Sequence, residues 1–149
     1  MRRFVTWGGV LAVLWLSAVV ASAQAKPTLD QLDRVMKKDG PAQQALVKAI
    51  VGGNQTAAKQ NLAVLQQGIA EAQTFWVANK RTDAIGFTKT VLQKLDSIDK
   101  LLSAPTMDST AALAAVQDLN KSCTDCHKVY RTTNDDGRYI LKPGSVPGY

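Results

Sequence analysis

The residues best suited to chemistry lie together near the end of the chain, in the segment Cys123-Thr124-Asp125-Cys126-His127. The sequence of 149 residues contains two cysteines and one histidine, and all three fall in this segment. The C-x-x-C-H pattern is typical of covalent haem c attachment. Two thiols three positions apart on a helix can each add to one vinyl group of the same porphyrin, which leaves the adjacent histidine under the iron. We therefore expect one haem c, bound through Cys123 and Cys126, with His127 as an axial iron ligand.

Three other uses of this segment have weaker support. A disulfide between Cys123 and Cys126 would close a very small loop and stabilise the fold little. A zinc site would need a fourth ligand and usually a second ligand pair, which the sequence does not offer. A thioredoxin-like redox pair would lie at a helix N-terminus after a strand, whereas this segment closes a predicted helix.

The second axial position of the iron has one sulfur candidate. The sequence has no other histidine, and its methionines beyond the N-terminal segment are Met36 and Met107. Met107 precedes His127 on one predicted helix by a distance of about 30 Å at the helical rise of about 1.5 Å per residue. Met36 is therefore the candidate sixth ligand, with core packing as the alternative, because methionine readily fills irregular space.

Asp39 follows Met36 on the core side of the same predicted helix. Its carboxylate could pair with a basic residue or hydrogen-bond a ligand at the iron. We expect it instead to turn to solvent, because Pro41 loosens the helix there.

Arg131 lies four residues after His127, which places it one turn further along the same helix face. A guanidinium is well shaped to pair with a carboxylate, so we expect Arg131 to bind a haem propionate. The alternative is an exposed arginine that interacts with the helix dipole. The aromatic residues Phe75, Trp76 and Phe87 are expected to be core rather than cofactor contacts.

The N-terminus has the order of a secretory signal peptide: Arg2-Arg3, an apolar run to about Val20, and Ala21-Ser22-Ala23. We predict cleavage after Ala23, or after Ala25 as the second choice, with no retained membrane span, and export to the periplasm. The remaining 126 residues suffice for one domain at 24–131 and a tail at 132–149. They carry 16 basic and 12 acidic residues, a net charge of +4 without blocks of like charge. Nucleic-acid binding is therefore not expected, and acidic redox partners remain open.

Four stretches have the composition and apolar periodicity of amphipathic helices, namely 28–51, 56–78, 83–102 and about 109–131. Short links make neighbouring helices antiparallel. The sequence thus predicts an all-α, up-down-up-down four-helix bundle with the haem near the C-terminal end of the last helix. Gly52-Gly53 is suited to a left-handed helix end, and Gly40-Pro41 predicts a kink or break in the first helix. The tail is predicted to be extended and packed on the bundle, or loosely ordered.

The chain resembles the class II cytochromes c, the cytochrome c′ family. The resemblance rests on residues 123–131 closing the last helix, on Met36-Lys37 followed by Gly40, and on Phe75-Trp76 leading into Asp83-Ala84. It implies a four-helix bundle and a homodimer packed through its first two helices. It also implies either low-spin iron with a methionine ligand, for electron transfer, or five-coordinate iron that binds small gases. Alignment with the family puts the distal residue near Asp39, which makes a five-coordinate site credible.

The leading interpretation is a periplasmic mono-haem c-type cytochrome that transfers electrons to and from redox partner proteins. The alternative is a five-coordinate haem protein that binds or scavenges nitric oxide or carbon monoxide. We do not expect an enzyme, because a peroxidase would need a distal histidine or arginine as an acid–base group, and none is evident at the distal position near the first helix.

Overall fold

The computed structural model describes residues 26–149, and the predicted signal peptide at 1–23 lies outside that range. Four helices make up most of the described chain: α1 (Leu29–Val51), α2 (Gln55–Ala78), α3 (Thr82–Leu102) and α4 (Ser109–Tyr130). They form the antiparallel bundle that the sequence predicts. A small hairpin, β1 (Arg131–Thr133) and β2 (Tyr139–Leu141), follows them. No helix within residues 26–149 combines the length and the apolar character needed to cross a bilayer.

Side-chain hydrogen bonds show which helix ends lie level with one another. Ser109 at the start of α4 donates to the carbonyl of Ile50 at the end of α1, over 3.2 Å. Gln55 at the start of α2 donates to the carbonyls of Leu102, the last residue of α3, and of Ala104, just after that helix. The start of α1 and the end of α4 must therefore share the opposite end of the bundle, where the C-x-x-C-H segment lies.

The core consists of two apolar clusters stacked along the bundle axis. The large apolar cluster fills the end remote from the C-x-x-C-H segment and contains Leu46, Ile50, Leu62, Leu95, Ile98, Leu102 and Val116, all at most 1 % exposed. The small apolar cluster fills the other end and comprises Leu32, Val35, Ala72, Phe75, Trp76, Ala84, Tyr130 and Val146. Phe75 and Trp76 are thus core residues as expected, and Phe87 packs against the small cluster from a half-buried position.

Helix ends follow from local capping. Thr28 and Gln31 form a capping box at the start of α1, while the side chains of Asn54 and Asp108 accept from the backbone at the starts of α2 and α4. Gly53, with a φ of 69°, provides the left-handed residue after α1 that the sequence predicts.

Of the kink or break expected at Pro41, the break does not occur, because α1 runs without interruption from Leu29 to Val51. Gly40 and Pro41 are both exposed, so water can hydrogen-bond the carbonyl that the proline leaves without a donor. The core side of α1 therefore keeps helical spacing on both sides of the proline.

The C-terminal tail packs on the bundle, which is one of the two predicted alternatives, and it forms a hairpin that the sequence analysis did not predict. Arg131 pairs with Leu141 and Thr133 with Tyr139, around a turn that contains Gly137 at a φ of 73°. Beyond the hairpin, Ser145 and Val146 are buried against the bundle. The tail therefore covers the small apolar cluster at the end of the bundle that holds the C-x-x-C-H segment.

Candidate functional site

The two cysteines lie on the last two turns of α4 and connect the two parts of the core. Both are free thiols and half-buried. Cys123 packs against the large apolar cluster, whereas Cys126 packs against the small one. Both sulfur atoms are therefore placed among apolar side chains between the helices, and neither is a fully exposed surface group.

Burial makes both thiols poor thiolates. Desolvation raises the pKa of Cys126 to about 11, and the neighbouring Cys123 adds to that effect. The pKa of Cys123 is also raised, first by desolvation and then by the negative charge of Asp39. Because the thiolate is the reactive and metal-binding form, this environment is unfavourable for a dithiol redox pair or a zinc–thiolate site.

His127 is half-buried next to the cysteines and lines a surface groove between α4 and the hairpin. The groove has a volume of about 290 Å³ and is also lined by Thr124, Lys128, Arg131, Thr132, Thr133 and Tyr139. Desolvation lowers the pKa of His127, and the positive charge of Arg131 lowers it further. The imidazole is therefore held in its neutral form, which is the form that binds metals.

Arg131 is the first residue of β1 and lies in the same groove as His127. Its guanidinium carbon is 4.0 Å from the ring centroid of Tyr139 on the facing strand, a cation–π contact. It takes part in none of the ion pairs found within residues 26–149. The guanidinium is thus positioned by stacking and keeps its hydrogen-bond donors free of carboxylates in that part of the chain.

Met36 is half-buried on α1 and packs against both apolar clusters. Met107 instead packs against the large apolar cluster, just before α4 at the far end of the bundle. Of the two methionines, Met36 is therefore the one at the end of the bundle that holds His127. The packing alternative for Met36 is realised, and its ligation of iron stays a prediction.

Asp39 does not turn to solvent as expected. It is 8 % exposed, and neither carboxylate oxygen has a hydrogen-bond partner within the described chain. The carboxylate packs against Gly68 on α2, where an added Cβ would overlap it. Desolvation and the negative charge of Glu71 raise the pKa of Asp39 to about 7, although Lys38 acts in the opposite direction. The uninterrupted α1 explains the difference, because it keeps Asp39 on the core face.

Asn120 is a second residue with an unsatisfied buried polar group, and the sequence analysis did not single it out. It lies three residues before Cys123 on α4, and its side-chain oxygen is buried without a hydrogen-bond partner within the described chain. Together with Asp39 it leaves unsatisfied polar groups near the cysteines. Gly68 was also missed, although an isolated glycine inside a helical pattern often marks close packing.

A network of polar contacts around Tyr130 fixes the end of α4 to its neighbours. Arg81 donates to the Tyr130 hydroxyl over 3.0 Å and to the backbone carbonyl of Ser145 in the tail. It also pairs with Asp83 at 3.4 Å, and the Tyr130 hydroxyl and Arg81 lower the pKa of Asp83 to about 2. The ring of Tyr130 packs 4.6 Å from that of Trp76. This network joins the loop between α2 and α3, the last turn of α4 and the tail.

A second groove of about 420 Å³ borders the C-x-x-C-H segment on the α3 side, lined by Asp83, Gly86, Phe87, Thr90, Ser122 and Asp125. Open space therefore lies on both sides of the segment. Within residues 26–149, no three His, Cys, Asp or Glu side chains are grouped so that they could hold a bare metal ion. Iron carried by a porphyrin needs only one such side chain as a ligand.

No family model, no curated protein and no solved structure matches the chain. The fold and the site geometry define a four-helix bundle with a half-buried C-x-x-C-H segment at the end of its last helix.

Proposed function

We propose that the protein is a mono-haem c-type cytochrome, similar to the class II cytochromes c, that acts as a periplasmic electron carrier. The observation that carries the proposal is the placement of the C-x-x-C-H segment. Its two thiols lie among core side chains, and its histidine is half-buried and neutral beside an open groove. A segment of this kind is suited to hold a porphyrin against a bundle core.

Several features of the surroundings fit a large planar group with polar edges. The apolar clusters supply contacts for the faces of the ring, and the grooves on both sides of α4 supply space. The buried oxygens of Asp39 and Asn120 lack partners within the described chain, and Gly68 opens α2 beside one of them. Native structures rarely leave such groups unsatisfied without a functional reason.

Each residue has a distinct task in this proposal. Cys123 and Cys126 form the thioether links, which fixes the position of the group relative to α4. His127 provides the axial nitrogen, and its burial keeps a competing proton away. Arg131 binds a propionate from its stacked position on Tyr139. Met36 is the candidate sixth ligand from α1.

The bound haem supplies one-electron chemistry through its ferric and ferrous states. The chain holds the group near its surface, because His127 and Arg131 line a groove that opens to solvent. An electron can then pass to a partner protein without large movements of the bundle. The positive charges of Lys128 and Arg131, which line this groove, favour a partner with an acidic surface.

The second candidate function is binding of nitric oxide or carbon monoxide at five-coordinate iron. The observation that favours it is the environment of Met36, which is already packed against both apolar clusters. If the thioether stays in that packing, the sixth position remains open. Export to the periplasm and a homodimer through α1 and α2 stay predictions from the sequence.

Optical spectra of the mature protein, produced in a host that attaches haem c, test the proposal. We expect the haem to resist acid-acetone extraction and to show oxidised and dithionite-reduced forms. A low-spin reduced spectrum that becomes high-spin in Met36→Leu would support electron transfer through a sulfur-ligated iron. A high-spin spectrum that changes with carbon monoxide would support gas binding, and extractable haem would defeat both functions.

A further inference from the structure

Asp39 is the described residue whose burial is least explained by the fold. Its two carboxylate oxygens are enclosed between α1 and α2 and accept no hydrogen bond within residues 26–149. A buried carboxylate in that position is costly in its charged form, because burial removes water without replacing its hydrogen bonds. Such a carboxylate needs either a bound proton or a nearby positive charge.

The charged and titratable groups around Asp39 do not supply that charge. Lys38 on α1 is exposed, and it only partly offsets the effect of burial. Glu71 on α2 is exposed and repels the carboxylate. On α4 the group that interacts with it is Cys123, whose thiol is neutral and becomes a thioether on haem attachment.

Helix α3 adds no compensating charge at Asp39 either. Its Lys94 acts on Cys123, but it is paired at 2.7 Å with Asp118 on α4. The carboxylate of Asp39 is therefore left to be neutralised either by a proton or by a positive charge carried by the group attached at Cys123.

Asp39 is close to the attachment point. Ala42, one turn after Asp39, belongs to the large apolar cluster, and both Met36, one turn before Asp39, and Cys123 pack against that cluster. The effect of the Asp39 carboxylate on the pKa of Cys123 agrees with this placement. A ferric haem attached at Cys123 would carry one positive charge more than the ferrous form, and that charge would stabilise a buried carboxylate at short range. Reduction removes this partner and restores the cost of the buried negative charge.

We propose that Asp39 is the site of redox-linked proton uptake in this protein, an inference that rests on the proposed function. When a one-electron donor such as dithionite or a reduced redox protein passes an electron to the ferric iron, one proton from solvent binds a carboxylate oxygen of Asp39. An O–H bond forms and no bond between heavy atoms changes. Oxidation by a one-electron acceptor reverses both steps, so electron and proton move together.

The test is the midpoint potential of the holoprotein measured from about pH 5 to pH 9, around the region where a perturbed carboxyl would titrate. One proton taken up per electron changes the redox equilibrium tenfold per pH unit, which is about 59 mV for a one-electron couple. We expect a slope approaching this value over part of the range in the unsubstituted protein. Asp39→Asn should flatten it.

Asp33→Asn is the matched control, because Asp33 lies on α1 but is exposed and pairs with Lys37. It should keep the slope of the unsubstituted protein. A midpoint potential that does not change with pH in the unsubstituted protein would overturn the inference, as would an unchanged slope in Asp39→Asn. Either result would leave covalent haem and electron transfer intact. Absence of covalent haem would instead defeat the proposed function as well.

Infrared difference spectra between the reduced and oxidised forms of the unsubstituted holoprotein give a test that does not require the Asp39→Asn variant to fold. Reduction should produce a carboxylic acid carbonyl band, and labelling aspartate with carbon-13 should shift it. A difference spectrum without a label-sensitive acid band would overturn the inference even if Asp39→Asn failed to attach haem.

Discussion

The carboxylate of Asp39 on α1 packs against Gly68 on α2, in the space that a glycine leaves by lacking a Cβ. This contact brings the two helices together beside the cysteines and keeps an acidic group in the core. Neither residue alone would suggest this arrangement, since each is unusual at a core helix position. Their pairing provides the most direct tests of the local structure.

Gly68→Ala should destabilise the protein, because the added Cβ would overlap the Asp39 carboxylate and force that side chain to move. We expect the free energy of unfolding to fall by about 1–3 kcal/mol, as in other overpacked cores. Chemical unfolding followed by circular dichroism measures this. Gly86→Ala is the control, because Gly86 is exposed on α3 and an added Cβ would meet no other part of the structure within 4 Å. It should raise the stability by about 0.5–1 kcal/mol, and equal losses in both variants would argue against the contact.

The stability of the protein should depend on the protonation of Asp39. Because its folded pKa of about 7 exceeds the ordinary value of 3.8, the folded state holds this proton to higher pH than the unfolded state. Stability from this group is therefore fully present below about pH 4 and is lost as the pH rises to about 7. The loss amounts to roughly 4 kcal/mol at most.

Urea unfolding at several pH values measures the effect, and the comparison with Asp39→Asn isolates it. The variant should lack this fall in stability between about pH 4 and pH 7, whereas Asp33→Asn should keep it. A parallel pH profile for the unsubstituted protein and Asp39→Asn would contradict the assignment.

Arg81→Ala should release the C-terminal tail from the bundle. Arg81 is the donor to both Tyr130 and the carbonyl of Ser145, so its removal leaves a phenol and a backbone carbonyl without a partner. We expect a loss of about 1–3 kcal/mol and faster hydrogen exchange in residues 142–149. Arg138→Ala is the control, because Arg138 is exposed and pairs with Asp136 in the turn. It should change the stability by less than about 0.5 kcal/mol.

Arg131→Gln should lower the reduction potential of the haem-bound protein, because a positive charge near the iron favours the less positive ferrous state. The expected change is about 10 to 40 mV, equivalent to the ~0.2–1 kcal/mol of an exposed charge pair. Arg138→Gln removes the same charge from the turn of the hairpin, where Arg138 pairs with Asp136, and should have a smaller effect. Equal potentials for Arg131→Gln and the unsubstituted protein would remove Arg131 from the propionate site.

Local signals were sufficient to predict the helices from the sequence. Thr28, Asn54 and Asp108 cap their helices through short-range hydrogen bonds, and each predicted boundary lies within about one residue of the observed one. The hairpin was missed because its strands are three residues long and begin directly after α4. The Asp136-Gly137 pair at its turn was the signal that could have indicated it.

The environment of Asp39 could not be predicted from α1 alone. Its burial depends on Gly68, which is distant in sequence and is brought near by the packing of α2. The proline two residues later indicated a break, but exposure of Pro41 to water lets the helix continue. The C-x-x-C-H segment could be recognised in the sequence because its spacing is local, whereas the residues that surround it depend on tertiary structure.

The mass of the intact, denatured protein tests the central claim most directly. The chain should be produced with its N-terminal segment in a host that exports proteins and attaches haem c, and then unfolded in acid. We expect the mature polypeptide to carry the additional mass of one haem, and the Cys123→Ala/Cys126→Ala double variant to lack it. A polypeptide of unmodified mass with two free thiols, from a host that loads a control cytochrome c, would contradict the assignment of this protein as a c-type cytochrome.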